Sequence, residues 1–164
     1  MDDVLADPVV YYQHKYYIPG VLIFSVFLPT FIPWYFWGED LLVAYMVCVS
    51  ARYVVTLNFT WLVNSVAHLF GNKPYDKAIN AVENLGVALA AFGEGWHNYH
   101  HTFPWDYKTA ELGIYSTNLT SLFIDTMAVI GQAYDRKSVD DDMIRKRALR
   151  TGDGTHHSIQ EKQD

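Results

Sequence analysis

The sequence has one cysteine among its 164 residues, Cys48, and it lies inside an apolar run. A single cysteine excludes a disulfide framework and a thiolate metal site within the chain. Basic residues are also few, because 12 Lys and Arg stand against 18 Asp and Glu, for a net charge of −6. A chain with this balance is not expected to bind nucleic acid. Residues 1–7 are acidic rather than basic, so we predict no cleavable signal peptide there.

Charge is absent altogether from residues 18–37, a run that is apolar and flanked by aromatic residues. A helix of that length covers the roughly 30 Å hydrocarbon core of a bilayer. A second apolar run, residues 41–63, follows a short turn at residues 38–40. The two runs predict a transmembrane hairpin. The turn has no Lys or Arg, whereas Lys15, Lys73 and Lys77 flank the hairpin, so both chain ends are predicted to be cytosolic.

One charged residue, Arg52, interrupts the second run. A charge inside a membrane is costly and requires a partner or a polar cavity. No partner is evident in the sequence, and we expect it outside this chain. The alternative is that the side chain reaches the interface by extending along the helix.

Three histidines with the spacing H-x-x-H-H occur in residues 93–101, at His97, His100 and His101. On a helical turn this spacing places all three rings on one face. Neutral imidazole is the commonest metal ligand in proteins. The alternative is that these histidines only pack among aromatic residues. Glu94 is the one carboxylate beside the cluster, and it either orients a histidine ring or marks the start of a helix.

Asn64 and His68 form a second polar pair, four residues apart on the predicted continuation of the second apolar helix. Together with the histidine cluster, they suggest half of a histidine cage. The nitrogen ligands suit iron, zinc or copper, and their spacing does not choose among these metals.

Three further helices are predicted downstream of the hairpin. Asn80 and Glu83 have the spacing of a capping box that starts a helix, which Gly93 ends. Asn118 is predicted to cap another helix, whose apolar residues recur with the spacing of one buried face: Leu119, Leu122, Phe123, Met127 and Ile130. Within residues 136–150, Asp140-Asp141-Asp142 precede the basic residues Arg145, Lys146, Arg147 and Arg150. This acidic start and basic end are typical of a solvated helix or of one lying against anionic headgroups. The last dozen residues are polar and are expected to be disordered.

Several long motifs resemble membrane acyl-CoA desaturases of the delta-9 (stearoyl-CoA) type, including insect members. They are Asn64-Ser65-Val66-Ala67-His68-Leu69-Phe70-Gly71, Pro74-Tyr75-Asp76, residues 93–101, Phe103-Pro104, Ala133-Tyr134-Asp135-Arg136-Lys137 and Arg150-Thr151-Gly152-Asp153-Gly154. The resemblance extends over nearly the whole chain. It implies a fatty acyl-CoA desaturase, which uses dioxygen to introduce a cis double bond into a saturated acyl-CoA.

The resemblance also implies a site. It assigns His68, His97, His100 and His101 as direct ligands of two iron ions (Fe²⁺), Asn64 as a ligand through water, and Thr60 as a residue beside the acyl tunnel. The implied partners are long-chain acyl-CoA, dioxygen, a cytochrome b5 electron donor and the lipid bilayer. The implied location is the endoplasmic reticulum membrane.

Two earlier histidine boxes of the family have no match here, so the chain resembles the C-terminal half of a desaturase. We therefore expect the isolated chain to be inactive. Two alternatives remain: a non-catalytic membrane partner of a full-length desaturase, and another membrane histidine-box oxygenase or a zinc protein.

The predicted fold is an all-α membrane protein. Residues 1–17 form a cytosolic segment, 18–63 the transmembrane hairpin, 64–135 a cytosolic histidine-box region, and 136–164 a charged tail.

Overall fold

The structure is a computed structural model that describes residues 2–111 and 115–160. Two compact units make up the chain, Met1–Leu57 and Asn58–Asp164. In chain order, the α-helices are Asp2–Leu5, Pro8–Lys15, Tyr17–Val21, Leu28–Trp37, Leu41–Tyr45, Arg52–Asn64, Leu85–Ala90, His97–Thr102, Leu119–Val129, Asp141–Thr151 and His157–Gln160. Two π-helical segments, Leu22–Phe27 and Met46–Ala51, and two 3₁₀ turns, Val66–His68 and Tyr115–Thr117, complete the helical elements. The described residues form no β-strand, which confirms the all-α prediction.

Two continuous helical stretches are long and apolar enough to cross a membrane: Tyr17–Trp37 and Leu41–His68. We refer to them as the first and second apolar helices. Gly38, in the left-handed conformation, ends the first. The carboxylate of Asp40 then accepts hydrogen bonds from the amides of Leu42 and Val43, which caps the second. Most side chains of both helices are exposed, as expected of a membrane protein whose apolar surface is covered by lipid.

Arg52 has a partner inside the chain, so the expectation that its partner lies elsewhere is wrong. Its Nη2 donates to the carbonyl oxygen of Ser25 at 2.6 Å. That carbonyl needs a donor because the residue four positions later is Pro29, which has no N–H. The π-helical segment Leu22–Phe27 contains Ser25. Arg52 of the second apolar helix therefore gives the Ser25 carbonyl the hydrogen bond that Pro29 cannot donate.

The unit Asn58–Asp164 has a small aromatic core: Tyr75, Tyr99, Phe103, Ile144 and Ala148. Ile144 and Ala148 come from the helix Asp141–Thr151, which begins and ends as its charge pattern predicts. This helix is not simply a solvated face, however. Its buried stripe supplies part of the core, and Arg147 forms an ion pair with Asp76 at 2.5 Å.

Residues after this helix are also ordered, contrary to the prediction that the last dozen are disordered. Gly152 lies against the backbone of Pro74, and Asp153 accepts a hydrogen bond from the amide of Lys73. His156 is buried. The polar composition was misleading because these residues bond to a loop that lies far away in the sequence. Residues 161–164 are outside the described part of the chain.

Two predicted helix boundaries need correction. The helix after the loop begins at Leu85, capped by Asn84, and not at Asn80. Glu83 is therefore free to bond elsewhere. The second apolar helix is α-helical only to Asn64, and a 3₁₀ turn, Val66–His68, delivers His68.

The helix Leu119–Val129 begins where predicted, because the side chain of Asn118 accepts a hydrogen bond from the amide of Ser121. The predicted buried face is wrong, since Leu119, Leu122, Phe123 and Ile130 are exposed. The polar side of the helix faces inward instead. Asp125 accepts hydrogen bonds from the hydroxyls of Tyr107 and Tyr115 and forms an ion pair with Arg136.

Candidate metal centre

Three of the four predicted histidine ligands converge in the structure. The Nε2 atom of His97 lies 2.9 Å from Nε2 of His68 and 3.0 Å from Nε2 of His101. One ring nitrogen from each residue lies within 4.8 Å of the others. We call this set the histidine centre. Two nitrogens bound side by side to one octahedral metal at about 2.1 Å lie about 3.0 Å apart, so these spacings fit a shared metal.

Local geometry explains how His97 and His101 meet. They occupy successive turns of the short helix His97–Thr102, which we call the histidine helix, and residues four apart lie on the same helical face. His68 comes from the 3₁₀ turn at the end of the second apolar helix. The sequence spacing therefore predicted the pair within the helix. The long-range contact with His68 was inferred from its pairing with Asn64 and from the motif resemblance.

Glycines bring the chain close to the histidine helix. Gly93 has φ +118°, and a side chain there would meet Asn118 Oδ1 at 2.6 Å. Gly95 is tighter, because its Cβ would lie 2.1 Å from the backbone nitrogen of Ala88. The amide of Asn84 also donates to the carbonyl oxygen of Gly95 at 2.9 Å. Only glycine permits this approach of two backbones.

A carboxylate does support the histidine helix, and it is Glu83. Its Oε1 accepts a hydrogen bond from the amide of Tyr99 at 2.7 Å, and the amide of Asn98 also donates to this carboxylate. These amides belong to the first turn of the helix, whose N-cap residue, Trp96, provides no side-chain cap. Burial raises the pKa of Glu83 to about 8, although the two amide hydrogen bonds lower it. Glu83 therefore performs the capping role across the fold.

Asn98 fixes the histidine helix to the loop before it. This residue is fully buried. Its Oδ1 accepts from the amides of Tyr75 and Asp76 at 3.0 and 3.2 Å, and its Nδ2 donates to the carbonyl oxygens of Asp76 and Ala81, each at 2.9 Å. All four hydrogen-bonding positions of the amide are used. The sequence analysis did not single out Asn98, although it is a polar residue between His97 and Tyr99.

The electrostatics keep these rings ready to bind a metal. Burial, followed by the charges of the neighbouring histidines, lowers the pKa of His97 to about 4. The pKa of His101 is lowered as well, mainly by burial. Both rings are therefore neutral near pH 7 and keep a lone pair for a metal. The Nδ1 atoms of His97 and His100 are buried without a hydrogen-bond partner among the described residues. A close set of neutral rings with unsatisfied nitrogens fits a metal site better than a packing role.

Other predicted site residues lie outside the three-nitrogen set. The ring centroid of His100 lies 6.0 Å from that of His97 and 5.6 Å from that of His101. Asn64 and Thr60 are exposed on the helix Arg52–Asn64. Glu94 is exposed, and its side chain makes no hydrogen bond with the described residues. The roles of these four residues stay predictions.

Comparison with known proteins shows that the chain is similar to acyl-CoA desaturases. The chain is 55% identical over 156 residues to the Acyl-CoA Delta12-desaturase of Acheta domesticus, covering 95% of this chain and 44% of that protein. It is 56% identical, with the same coverage, to the Acyl-CoA Delta-9 desaturase of Acheta domesticus. The chain is a relative of the acyl-CoA desaturases. The Stearoyl-CoA desaturase of Homo sapiens is 51% identical over 158 residues, covering 96% of this chain and 44% of that protein.

These matches confirm the resemblance seen in the sequence motifs. No protein-family model matches the chain. The chain spans less than half the length of the curated acyl-CoA desaturases that it matches. The histidine centre lies in the matched portion, because the alignments cover nearly all of this chain.

Proposed function

We propose that this chain is part of a membrane acyl-CoA desaturase, which introduces a cis double bond into a long-chain acyl-CoA with dioxygen as the oxidant. The observation that carries the proposal is the histidine centre, found in a chain that is more than half identical to acyl-CoA desaturases. The histidine spacing alone also suits other metalloproteins. The similarity over 95% of the chain favours desaturation.

The proposed cofactor is a pair of Fe²⁺ ions. His68, His97 and His101 would hold one iron between them, and His100, with Asn64 acting through water, would contribute to the second. Bound iron would supply the dioxygen chemistry that removes two hydrogens from an unactivated acyl chain. Two octahedral ions need roughly twelve donors, so four histidines and one amide do not complete the set. We propose that the other ligands lie outside residues 1–164.

The chain's own residues would position this site. Glu83 and Asn98 hold the first turn of the histidine helix, and burial keeps His97 neutral. His101 is exposed, so further protein must cover it to exclude water from the reaction. Thr60 is proposed to border the acyl tunnel. Cytochrome b5 is proposed as the electron donor.

We propose a location in the endoplasmic reticulum membrane, and the two apolar helices support a membrane location. We propose that they form a transmembrane hairpin with both chain ends in the cytosol, in agreement with the positions of Lys15, Lys73 and Lys77. The double-bond position is open to experiment, since the matched Delta-9 and Delta-12 relatives are equally similar. Delta-9 desaturation stays our prediction.

Expression in a host that lacks its own acyl-CoA desaturase tests the proposal. The complete protein that contains this chain should produce monounsaturated fatty acids, identified by gas chromatography and mass spectrometry with assignment of the double bond. His97→Ala and His101→Ala should abolish the product. His14→Ala is the control and should retain it, because His14 is exposed and far from the histidine centre in sequence.

Other outcomes would correct the proposal. A hydroxylated product would identify a different oxygenase. Stimulation of a co-expressed desaturase, with no product from the protein itself, would identify a non-catalytic partner. Desaturation of stearoyl-CoA by purified residues 1–164 would overturn the requirement for additional ligands.

A further inference from the structure

A second group of potential metal ligands lies away from the proposed reaction chemistry. The Nε2 atom of His156 lies 2.8 Å from Glu111 Oε2, and Nε2 of His157 lies 3.8 Å from Glu111 Oε1. One ligand atom from each residue lies within 4.8 Å of the others. None of these residues belongs to the histidine centre. We call this set the tail cluster.

We propose that the tail cluster binds a zinc ion. Two imidazole nitrogens and one glutamate oxygen form a ligand set that zinc uses in proteins when one coordination position is left for water. The site would be partly open. Its proposed role is structural, and the proposal does not depend on desaturase activity.

The surroundings of the cluster resemble the outer shell of a built site. The hydroxyl of Tyr75 donates to Glu111 Oε2 at 2.6 Å, which fixes the carboxylate. The Nδ1 atom of His156 lies 2.8 Å from Ser158 Oγ, so the ring nitrogen that faces away from Glu111 is also held. Partners of this kind orient metal-bound histidines and carboxylates. Burial and the neighbouring Glu111 raise the pKa of Tyr75, so its phenol keeps the proton that it donates.

Space and burial are also suitable. The side chain of His156 is 2% exposed and that of Glu111 is 16% exposed, whereas that of His157 is 55% exposed. All three line a cavity of about 210 Å³, together with Tyr75 and Glu83. A zinc ion with a bound water fits this volume, and the exposed side of His157 gives it a route of entry.

The ligands are positioned by contacts that need no metal. Thr151 Oγ1 donates to the carbonyl oxygen of Tyr75 at 2.7 Å. The amide of Lys73 donates to the carboxylate of Asp153, and the amide of Asp153 donates to the carbonyl oxygen of Lys73. These bonds hold the tail beside the loop that contains Tyr75. A zinc ion would add a further link, because it would join His156 and His157 of the tail to Glu111. It would thereby restrain the chain segment between His68 and His97.

A plain ion pair between Glu111 and His156 would produce the same 2.8 Å contact, so His157 distinguishes the two explanations. His157→Ala leaves that ion pair and the core intact. If zinc binds, this substitution should lower the zinc affinity by at least about tenfold. If only an ion pair is present, it should leave the zinc content unchanged.

The experiment uses the complete protein, purified in detergent, loaded with iron and then supplied with zinc. Mass spectrometry of the metals should find one zinc per chain in the wild type and in His14→Ala. His157→Ala and Glu111→Gln should lose this zinc and retain their iron. Zinc should raise the thermal unfolding temperature of the wild type and leave that of His157→Ala unchanged.

X-ray absorption at the zinc edge should show two imidazoles and oxygen ligands. A shell of three imidazoles would place the zinc in the histidine centre and overturn the proposal, as would equal zinc in the wild type and His157→Ala. A protein that binds zinc through the tail cluster but holds no iron would contradict the proposed function and leave this inference standing.

Discussion

The two compact units are stabilised in opposite ways. In Met1–Leu57 the apolar side chains are mostly exposed, and a long-range hydrogen bond from Arg52 to Ser25 joins its two apolar helices. In Asn58–Asp164 the center of the unit contains buried polar groups, among them Asn98, Asp106 and Asn118. The first unit is organised for lipid. The second is organised around hydrogen bonds that position the histidine centre.

The comparison of the two units predicts that the largest loss of stability comes from a substitution at Asn98. Asn98→Ala leaves two buried amides and two buried carbonyl oxygens without their partner, so it should lower the free energy of unfolding by about 2–4 kcal/mol. Chemical denaturation in detergent measures this. Asn80→Ala is the matched control, since Asn80 is exposed in the loop to which Asn98 is bonded, and it should have no measurable effect. Equal effects would contradict the role assigned to the polar network.

The next effect depends on pH. Folded Glu83, with its pKa raised to about 8 by burial, keeps its proton to about that pH, whereas unfolded Glu83 loses it near the ordinary pKa of 4.5. Its stabilising contribution is therefore complete below pH 4.5 and is lost as the pH rises through 8. Glu83→Gln should flatten this part of the stability profile.

Denaturation measured between pH 4.5 and 8.5 tests this prediction. Glu94→Gln is the control, because Glu94 is exposed, and it should keep the wild-type profile. A Glu83→Gln profile parallel to that of the wild type would show that Glu83 does not titrate in this range.

Substitution of one glycine in each unit, Gly95 and Gly20, compares how closely the two units are packed. Gly95→Ala places a methyl group 2.1 Å from the nitrogen of Ala88, so the backbone must move, at a cost of about 1–3 kcal/mol. Gly20→Ala meets no atom within 4 Å and should stabilise its helix by about 0.5–1 kcal/mol. Thermal unfolding and iron content of both variants test this. Loss of iron from the Gly20→Ala variant would contradict the comparison.

The smallest effect concerns the polar contact in the first unit. Arg52→Leu should cost about 1 kcal/mol, because the Ser25 carbonyl loses its donor. Pro29→Ala restores an amide that can donate to this carbonyl, so Arg52→Leu should cost less in that background. A double-mutant cycle, read by unfolding in detergent, measures the difference. Strict additivity would show that Pro29 and Arg52 are not coupled through Ser25.

The same contrast explains how far the sequence could predict the structure. Long apolar runs depend on local composition, so residues 18–37 and 41–63 indicated the two apolar helices well. The spacing of His97 and His101 is also local, and a single helical turn was enough to predict that they lie together. The motif resemblance added His68.

Other features depend on contacts between distant residues. Glu83 and Asn80 had the spacing of a capping box, but Glu83 caps the histidine helix through the amide of Tyr99, which lies sixteen residues further along. Similarly, the composition of the tail indicated disorder, but His156 bonds to Glu111. The apolar residues of Leu119–Val129 recur with the period of a core helix, but most of them are exposed. Periodicity shows that a helix has an apolar face, and it does not show whether other parts of the chain cover that face.

The most direct test of the account is the iron content of the purified complete protein and its single histidine variants. The account predicts that His68→Ala, His97→Ala and His101→Ala each lose iron, while His14→Ala and His157→Ala keep the wild-type amount. Retention of full iron by the three histidine-centre variants would contradict the claim that these side chains share one metal.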